Sequence, residues 1–226
     1  HIELFKNLIA GIFGLMSSQD QEIIAIGEIV RKVSNFEDSI QIVSDSEIVF
    51  IDDGESPRHV NGQEVVNWTE FSGRLVRVKG VSIAIAASQT REALAKKCET
   101  EGISLIEARA ASVVQMDGVI IKDGACLSPF VTLASNIRIG RCFHANLYSY
   151  VEHDCVIGDF VTFGPGAKVN GNVNIGDHAY IGSGAVIRQG LKIGAYATVG
   201  MGAVVTRDVP PGKTVVGNPA RPMNKE

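Results

Sequence analysis

From Ile121 to Val205 an aliphatic or small residue returns at every sixth position, fifteen times, without an insertion. The series is Ile121, Leu127, Leu133, Ile139, Ala145, Val151, Ile157, Phe163, Val169, Ile175, Ile181, Ile187, Ile193, Val199 and Val205. A helix repeats near every fourth residue and an amphipathic strand every second, so neither produces this period. A chain that turns a corner after each short strand does, because one side chain per hexad then fills the axis of a solenoid. Two positions earlier a second small or apolar residue recurs, as at Val119, Ala125, Val131, Ile137, Phe143, Val161, Ala167, Val173 and Ala179, with Ser149 the main polar exception. Glycine often follows the inward residue (Gly140, Gly158, Gly164, Gly176, Gly182, Gly194, Gly200), which reads as backbone freedom for the corners. Three hexads close a coil of eighteen residues. Residues eighteen apart then lie one above the other, separated by the strand-pairing distance of roughly 4.8 Å.

Residues 22–107 carry a different pattern. Strands are expected at 22–27, 47–51 and 81–86, helices at 28–36 and 90–101, and Gly102 is placed to stop the second helix. A polar connection over 56–63 leads to the only tryptophan, Trp68. This alternation predicts a small, Rossmann-like parallel α/β sheet covered on both faces, followed by a parallel β-helix. The expected division is an α/β unit over residues 1–107 and a β-helix over 108–226, with 106–115 as the junction and the solenoid under way by Val119. In such sheets ligands sit beyond the carboxyl ends of strands, here near Gly27 and Glu28, Asp52 and Asp53, and Ser88 to Thr90. Only Gly27 follows the first strand, so the glycine-rich dinucleotide fingerprint is missing and a nicotinamide enzyme is not indicated. Within residues 2–16, Ile2, Phe5, Ile9, Ile12, Phe13 and Met16 share one face of an expected helix that packs on its own domain or on a neighbouring subunit. That segment is too short and too polar to span a bilayer.

A net charge of -4 with scattered Lys and Arg argues against a general nucleic-acid binder. The four cysteines, Cys98, Cys126, Cys142 and Cys155, show no metal-ligand spacing and read as reduced, mostly buried thiols of a cytoplasmic protein. No metal is implied. The column geometry singles out one corner: His153 lies two positions past Val151, Gly171 two past Val169, and Gln189 one coil further. That places an imidazole beside a backbone N–H that no side chain obstructs. A neutral imidazole suits the removal of a proton from an attacking amine or hydroxyl, assistance worth about 10²–10⁴-fold.

The hexads resemble the left-handed parallel β-helix of hexapeptide acyltransferases. The stretch 146–159, with Asn146, Glu152, His153, Asp154, Ile157 and Gly158, is similar to a motif of the sialic-acid O-acetyltransferase and nucleotide-amino-sugar N-acetyltransferase family. So are Gly182 to Ala185 and the ending that contains Pro210, Pro211, Gly212, Lys213, Gly217, Asn218, Pro219 and Ala220, together with an α/β domain in front. The resemblance implies an acetyl-CoA-dependent N-acetyltransferase acting on a nucleotide-linked 4-amino-4,6-dideoxy sugar for a surface glycan, assembled as a homotrimer. It implies His153 as the base and Asp154 as its orienting carboxylate, the alternative for Asp154 being a structural corner residue. Gly171 would offer its N–H to the thioester carbonyl, or serve only the turn. Asn146 and Glu152 would face the acceptor, although an asparagine ladder within the coil explains Asn146 as well. Asp52 and Asp53 would bond a nucleotide base or ribose, or simply form a polar turn before Gly54. Ser183, Gly184, Gly202 and Ala203 would line the pantetheine arm, and Lys213 and Arg221 would meet the CoA phosphates unless they are merely solvated. Thr162 stands where relatives commonly carry a second histidine that contacts acetyl-CoA; its hydroxyl remains a potential donor. The glycine-rich turn with its own histidine that relatives carry after the first strand is replaced by Gly27, Glu28 and Ile29. Two rival readings stay open: O-acetylation of a sugar hydroxyl with the same base, and a non-catalytic β-helix scaffold.

Overall fold

The computed structural model describes residues 24–27, 48–53, 58–60, 63–73 and 80–223. The expected helices at 2–16 and 28–36 lie outside the described residues. The first sheet has strand order β3-β4-β2-β1-β5, with β1 at Ile24–Gly27, β2 at Ile48–Ile51, β3 at His59–Val60, β4 at Gln63–Val66 and β5 at Gly80–Ser82. Strands β4, β2, β1 and β5 run parallel, and β3 pairs antiparallel with β4. The connection expected over 56–63 therefore holds an edge hairpin, which a polar run does not reveal. Helix α1 spans Trp68–Gly73 and α2 spans Ser88–Thr100. The stop at Gly102 is realised: Gly102 has φ 69, its N–H donates to Glu99 O, and Ile103 N–H reaches back to Cys98 O. The third strand is shorter than expected. It ends at Ser82, and Ile83, Ala84 and Ile85 are buried without pairing as a strand.

The hexads form a left-handed parallel β-helix of two-residue strands in three sheets, which make the faces of a triangular prism. Each strand contains the inward residue of one hexad, and eighteen-residue register joins successive coils, as in Tyr150↔Lys168 and Val151↔Val169. The axis is filled by the expected series, from Leu127 to Val205, none of it more than 3% exposed. Pairing starts at Ala108–Arg109 and Val114–Gln115, ahead of the first apolar hexad at Ile121. Arg109 and Gln115 occupy inward slots of this end coil, which no further coil covers among the described residues, so apolarity is not demanded there and the period is invisible in the sequence.

The corners correct the reading of the glycines. Left-handed φ occurs one residue in six without a break from Gly118 to Gly202, three positions after each inward slot, and Phe130, Asn136, Cys142, Tyr148, Asp154, Phe160, Asn172, His178 and Tyr196 take it as well as glycine. Glycines such as Gly140 and Gly176, directly after the inward residue, do not have positive φ. A Cβ on Gly140 would lie 2.5 Å from Gly158 C, and one on Gly176 would lie 2.5 Å from Ala195 N. They are required by the close approach of the next coil rather than by conformational freedom.

The α/β sheet and the β-helix share a core. Cys142 and Phe160 of the solenoid pack with Val81, Ile83, Ile85, Trp68, Phe71, Ala95 and Cys98. Arg91 of α2 is fully buried at this junction. Its guanidinium donates to Ile85 O (2.7 Å), Ala86 O (3.1 Å), Cys142 O (2.9 Å) and Phe160 O (2.6 Å). Burial brings its pKa down to about 10, so the guanidinium stays charged at neutral pH and is balanced by carbonyl dipoles. His144 is buried beside it, with Nε2 2.8 Å from Ile83 O; burial, and then the Arg91 charge, push its pKa down to about 3. All four cysteines are free and buried.

Candidate active site

His153 sits at the corner between the sheet containing Tyr150–Val151 and the sheet containing Val156–Ile157. Its side chain is half exposed, and Nδ1 lies 2.8 Å from Asp154 Oδ2. Neighbouring residues on a flat strand point to opposite faces. Here Asp154 has φ 60, so the chain bends and turns the two side chains toward each other. With Nδ1–H donated to the carboxylate, Nε2 keeps its lone pair. The bond from His153, and next that from Asn136 Nδ2 to Asp154 Oδ1 (3.3 Å), hold the Asp154 carboxyl below its ordinary pKa. Asn136 stands one coil beneath Asp154. Sequence reasoning missed it, although the spacing of eighteen points to it.

Gly171 lies one coil above the imidazole. A Cβ there would be 2.6 Å from His153 Nε2 and 2.7 Å from Cε1, and the residue does not adopt positive φ. The turn itself does not need glycine; the imidazole does. The Gly171 N–H donates to no protein acceptor among the described residues. A base with a free Nε2 and an unpaired backbone N–H thus share one corner, as an acyl transfer to an amine or hydroxyl requires.

The other expected residues divide. Glu152 is exposed at the same corner. Asn146 is on the preceding corner, one prism face away, and its Nδ2 donates to Phe163 O at 2.8 Å. One chain therefore does not bring it to His153, and its amide is committed to the coil above. Asp53 Oδ1 accepts the Trp68 N–H at 2.7 Å, capping α1. Asp52, beside it at the end of β2, is largely buried. Thr162 is buried, and its hydroxyl accepts from Arg91 Nη2 at 3.0 Å at the junction with the α/β sheet. No pattern of apolar positions announces a buried arginine, so neither partner of that contact was legible. Ala203 turns its methyl into the solenoid axis with no exposed surface. Ser183 is partly exposed and Gly184 and Gly202 are exposed; the two glycines have φ 67 and 65 and open space beyond their Cα atoms. Lys213 and Arg221 are exposed at the end of the solenoid, where Thr214–Val216 and Arg221–Pro222 pair antiparallel. Arg207, missed in the sequence, is exposed three coils above His153 in the same column.

A prism of hexads carrying a paired imidazole beside a bare backbone donor defines a hexapeptide-repeat acyltransferase. The bacterial transferase hexapeptide (six repeats) family matches residues 172–207. A GDP-perosamine N-acetyltransferase of Escherichia coli O157:H7 is 45% identical over 163 residues, 72% of this chain and 70% of the relative. WeeI from Acinetobacter baumannii AYE is 44% identical with a TM-score of 0.79, covering 90% of this chain and 100% of its own. A histidine mutant of perosamine N-acetyltransferase from Caulobacter crescentus, solved with CoA and GDP-perosamine, is 26% identical with a TM-score of 0.80, covering 93% and 100%. The chain belongs to the nucleotide-amino-sugar N-acetyltransferase family of hexapeptide-repeat enzymes. It is an acetyltransferase.

Proposed function

We propose that the protein transfers the acetyl group of acetyl-CoA to the free amine of a nucleotide-linked 4-amino-4,6-dideoxy sugar, with GDP-perosamine the first substrate to try. The observation that carries the reading is the His153 ring, tied through Nδ1 to Asp154 and laid against Gly171 with Nε2 unpaired among the described residues. In the reaction the amine nitrogen forms a bond to the thioester carbon. His153 Nε2 takes the proton released by the amine, and the Gly171 N–H donates to the oxygen as it gains charge. The carbon–sulfur bond then breaks, CoA leaves, and the protonated imidazole returns the proton to its sulfur. Asp154 stays ionised throughout and stabilises the imidazolium. A donor lying along the exposed Ser183, Gly184 and Gly202 edge, on the Asn146 corner one prism face from His153, would meet the His153 corner of a neighbouring prism in the trimer, with Lys213 and Arg221 toward its phosphates. Asp52, at the carboxyl end of β2, is the acceptor-side residue best placed to meet the nucleotide. The GDP-perosamine relative and the bound ligands of the Caulobacter crescentus enzyme support this choice of substrates.

The protein acts as a homotrimer in the cytoplasm. Repetitive prism faces favour symmetric self-association, and buried free thiols suit a reducing compartment. The test is thiol release from acetyl-CoA with GDP-, UDP- and dTDP-linked 4-amino sugars and their 4-hydroxy counterparts. Turnover confined to the amines is expected, fastest with the GDP sugar. Turnover on the hydroxyl sugars instead contradicts the reading, as does none on any of them.

A further inference from the structure

Every polar group of Asn170, the residue before Gly171, is engaged. Its Nδ2 donates to Ile187 O in the coil above at 2.8 Å, and its main-chain N–H donates to the same oxygen at 3.2 Å. Its Oδ1 accepts the Tyr150 hydroxyl from the coil below at 3.4 Å. Its main-chain oxygen accepts the Cys155 thiol at 3.3 Å. The side-chain bond to the next coil is ladder chemistry that Asn146 shares. The bonds to Tyr150 and Cys155 are not part of that ladder, and both come from residues flanking His153.

Cys155 lies beneath the same corner. Its sulfur accepts the Val173 N–H at 3.4 Å and is 3.6 Å from His153 O, so one buried atom touches the turn that carries the imidazole and the turn that carries Gly171. Burial raises its pKa, which keeps the proton on sulfur for donation.

The Asn170 carbonyl and the Gly171 N–H belong to one peptide unit, and in a trans peptide these two groups point in opposite directions. Holding the carbonyl against the buried Cys155 sulfur therefore turns the N–H outward. Donation to the carbonyl also polarises the peptide and strengthens its N–H as a donor. On the reading that Gly171 serves the oxyanion, we infer that Asn170 and Cys155 are positioning residues that aim its N–H at the thioester carbonyl.

The experiment compares Asn170→Ala, Cys155→Val and Cys155→Ser with the wild type by steady-state kinetics with GDP-perosamine. Difference infrared spectra of bound carbonyl-¹³C acetyl-CoA report the hydrogen bond to the thioester oxygen. Asn170→Ala and Cys155→Val are expected to lower kcat about 10- to 100-fold, short of the ~10²–10³-fold of deleting an oxyanion donor outright. KM for both substrates should stay within about twofold, the acid limb of the pH profile should not move, and the carbonyl band should shift toward its free frequency. Cys155→Ser keeps a donor and should retain most of the activity and the band position. The inference is overturned if kcat stays near wild type in the first two variants, or if it falls while the carbonyl band does not move, since the residues then act on folding alone. A His153→Ala control that loses turnover but keeps the wild-type band supports the base and the donor as separate functions. A wild-type band already at the free frequency removes the underlying reading of Gly171 and this inference with it.

Discussion

Replacing Gly171 with alanine separates catalysis from stability at a single methyl group. The new Cβ would lie 2.6 Å from His153 Nε2, 2.7 Å from Cε1 and 3.2 Å from Cδ2. Ordinary contact distances are about 3.5–4.0 Å, so the ring must retreat by roughly 1 Å. The imidazole is half exposed and can swing toward solvent, which lengthens the 2.8 Å bond to Asp154 and carries Nε2 off the amine. A misplacement of about 1 Å costs on the order of 10²-fold, or close to 2.7 kcal/mol of barrier. Because Gly171 lacks positive φ, alanine is not strained there, and loss of glycine entropy in the unfolded chain should raise stability by about 0.4–1 kcal/mol. The expected result in a thiol-release assay is a kcat down about a hundredfold, with a melting temperature equal to or above wild type. Gly190→Ala is the internal control. Its φ is 78 with open space beyond Cα, so alanine there should cost about 1 kcal/mol of stability through backbone strain. A Gly171→Ala enzyme within threefold of wild type, or one whose loss is matched by unfolding, refutes the reasoning.

Other consequences follow from the same contacts. Arg91→Met removes the donor for carbonyls of Ile85, Cys142 and Phe160 that are buried at the junction; a loss of at least about 3 kcal/mol is expected in denaturant titration. His144 is depressed to about 3 in the folded chain, so its contribution to stability is complete above the ordinary histidine pKa. It is lost as pH falls through the window from about 6.5 to 3, at about 1.4 kcal/mol per pH unit. Titration of the melting temperature from pH 7 to 4 should show that slope, and His144→Gln should flatten it. Asp154→Asn keeps a partner for the ring but removes the carboxylate that stabilises the imidazolium. It should lower kcat by about 10²–10⁴-fold with little change in melting temperature, measured in the same thiol-release assay.

The hexad period was enough to place the strands, the coil length and the column that stacks Gly171 on His153. Those features depend on apolar side chains entering the axis, and each of them leaves a mark at a fixed interval. The corners left a misleading mark. Glycine follows the inward residue because the next coil passes close by, while the left-handed position two residues later accepts Phe130, Tyr148 and His178 and so carries no compositional signal. The chemistry of individual polar groups was less legible still. Spacing could put Asn146 and Asn170 on corners but could not say that both amides are used up on a carbonyl of the coil above. That Arg91 reaches Thr162 from a distant helix was not legible either; a contact across seventy-one residues has no local pattern. Asp53 similarly serves as the cap of α1, a duty set by where Trp68 begins its helix.

Acetyl transfer turns on whether His153 Nε2 removes the proton of the attacking amine. The direct measurement is the pH dependence of kcat/KM for acetyl transfer to GDP-perosamine by wild type and His153→Ala. Wild-type activity should carry an acid limb, and the variant should fall about 10²–10⁴-fold and lose that limb. A variant that keeps wild-type turnover with the same acid limb would show that another group carries the proton.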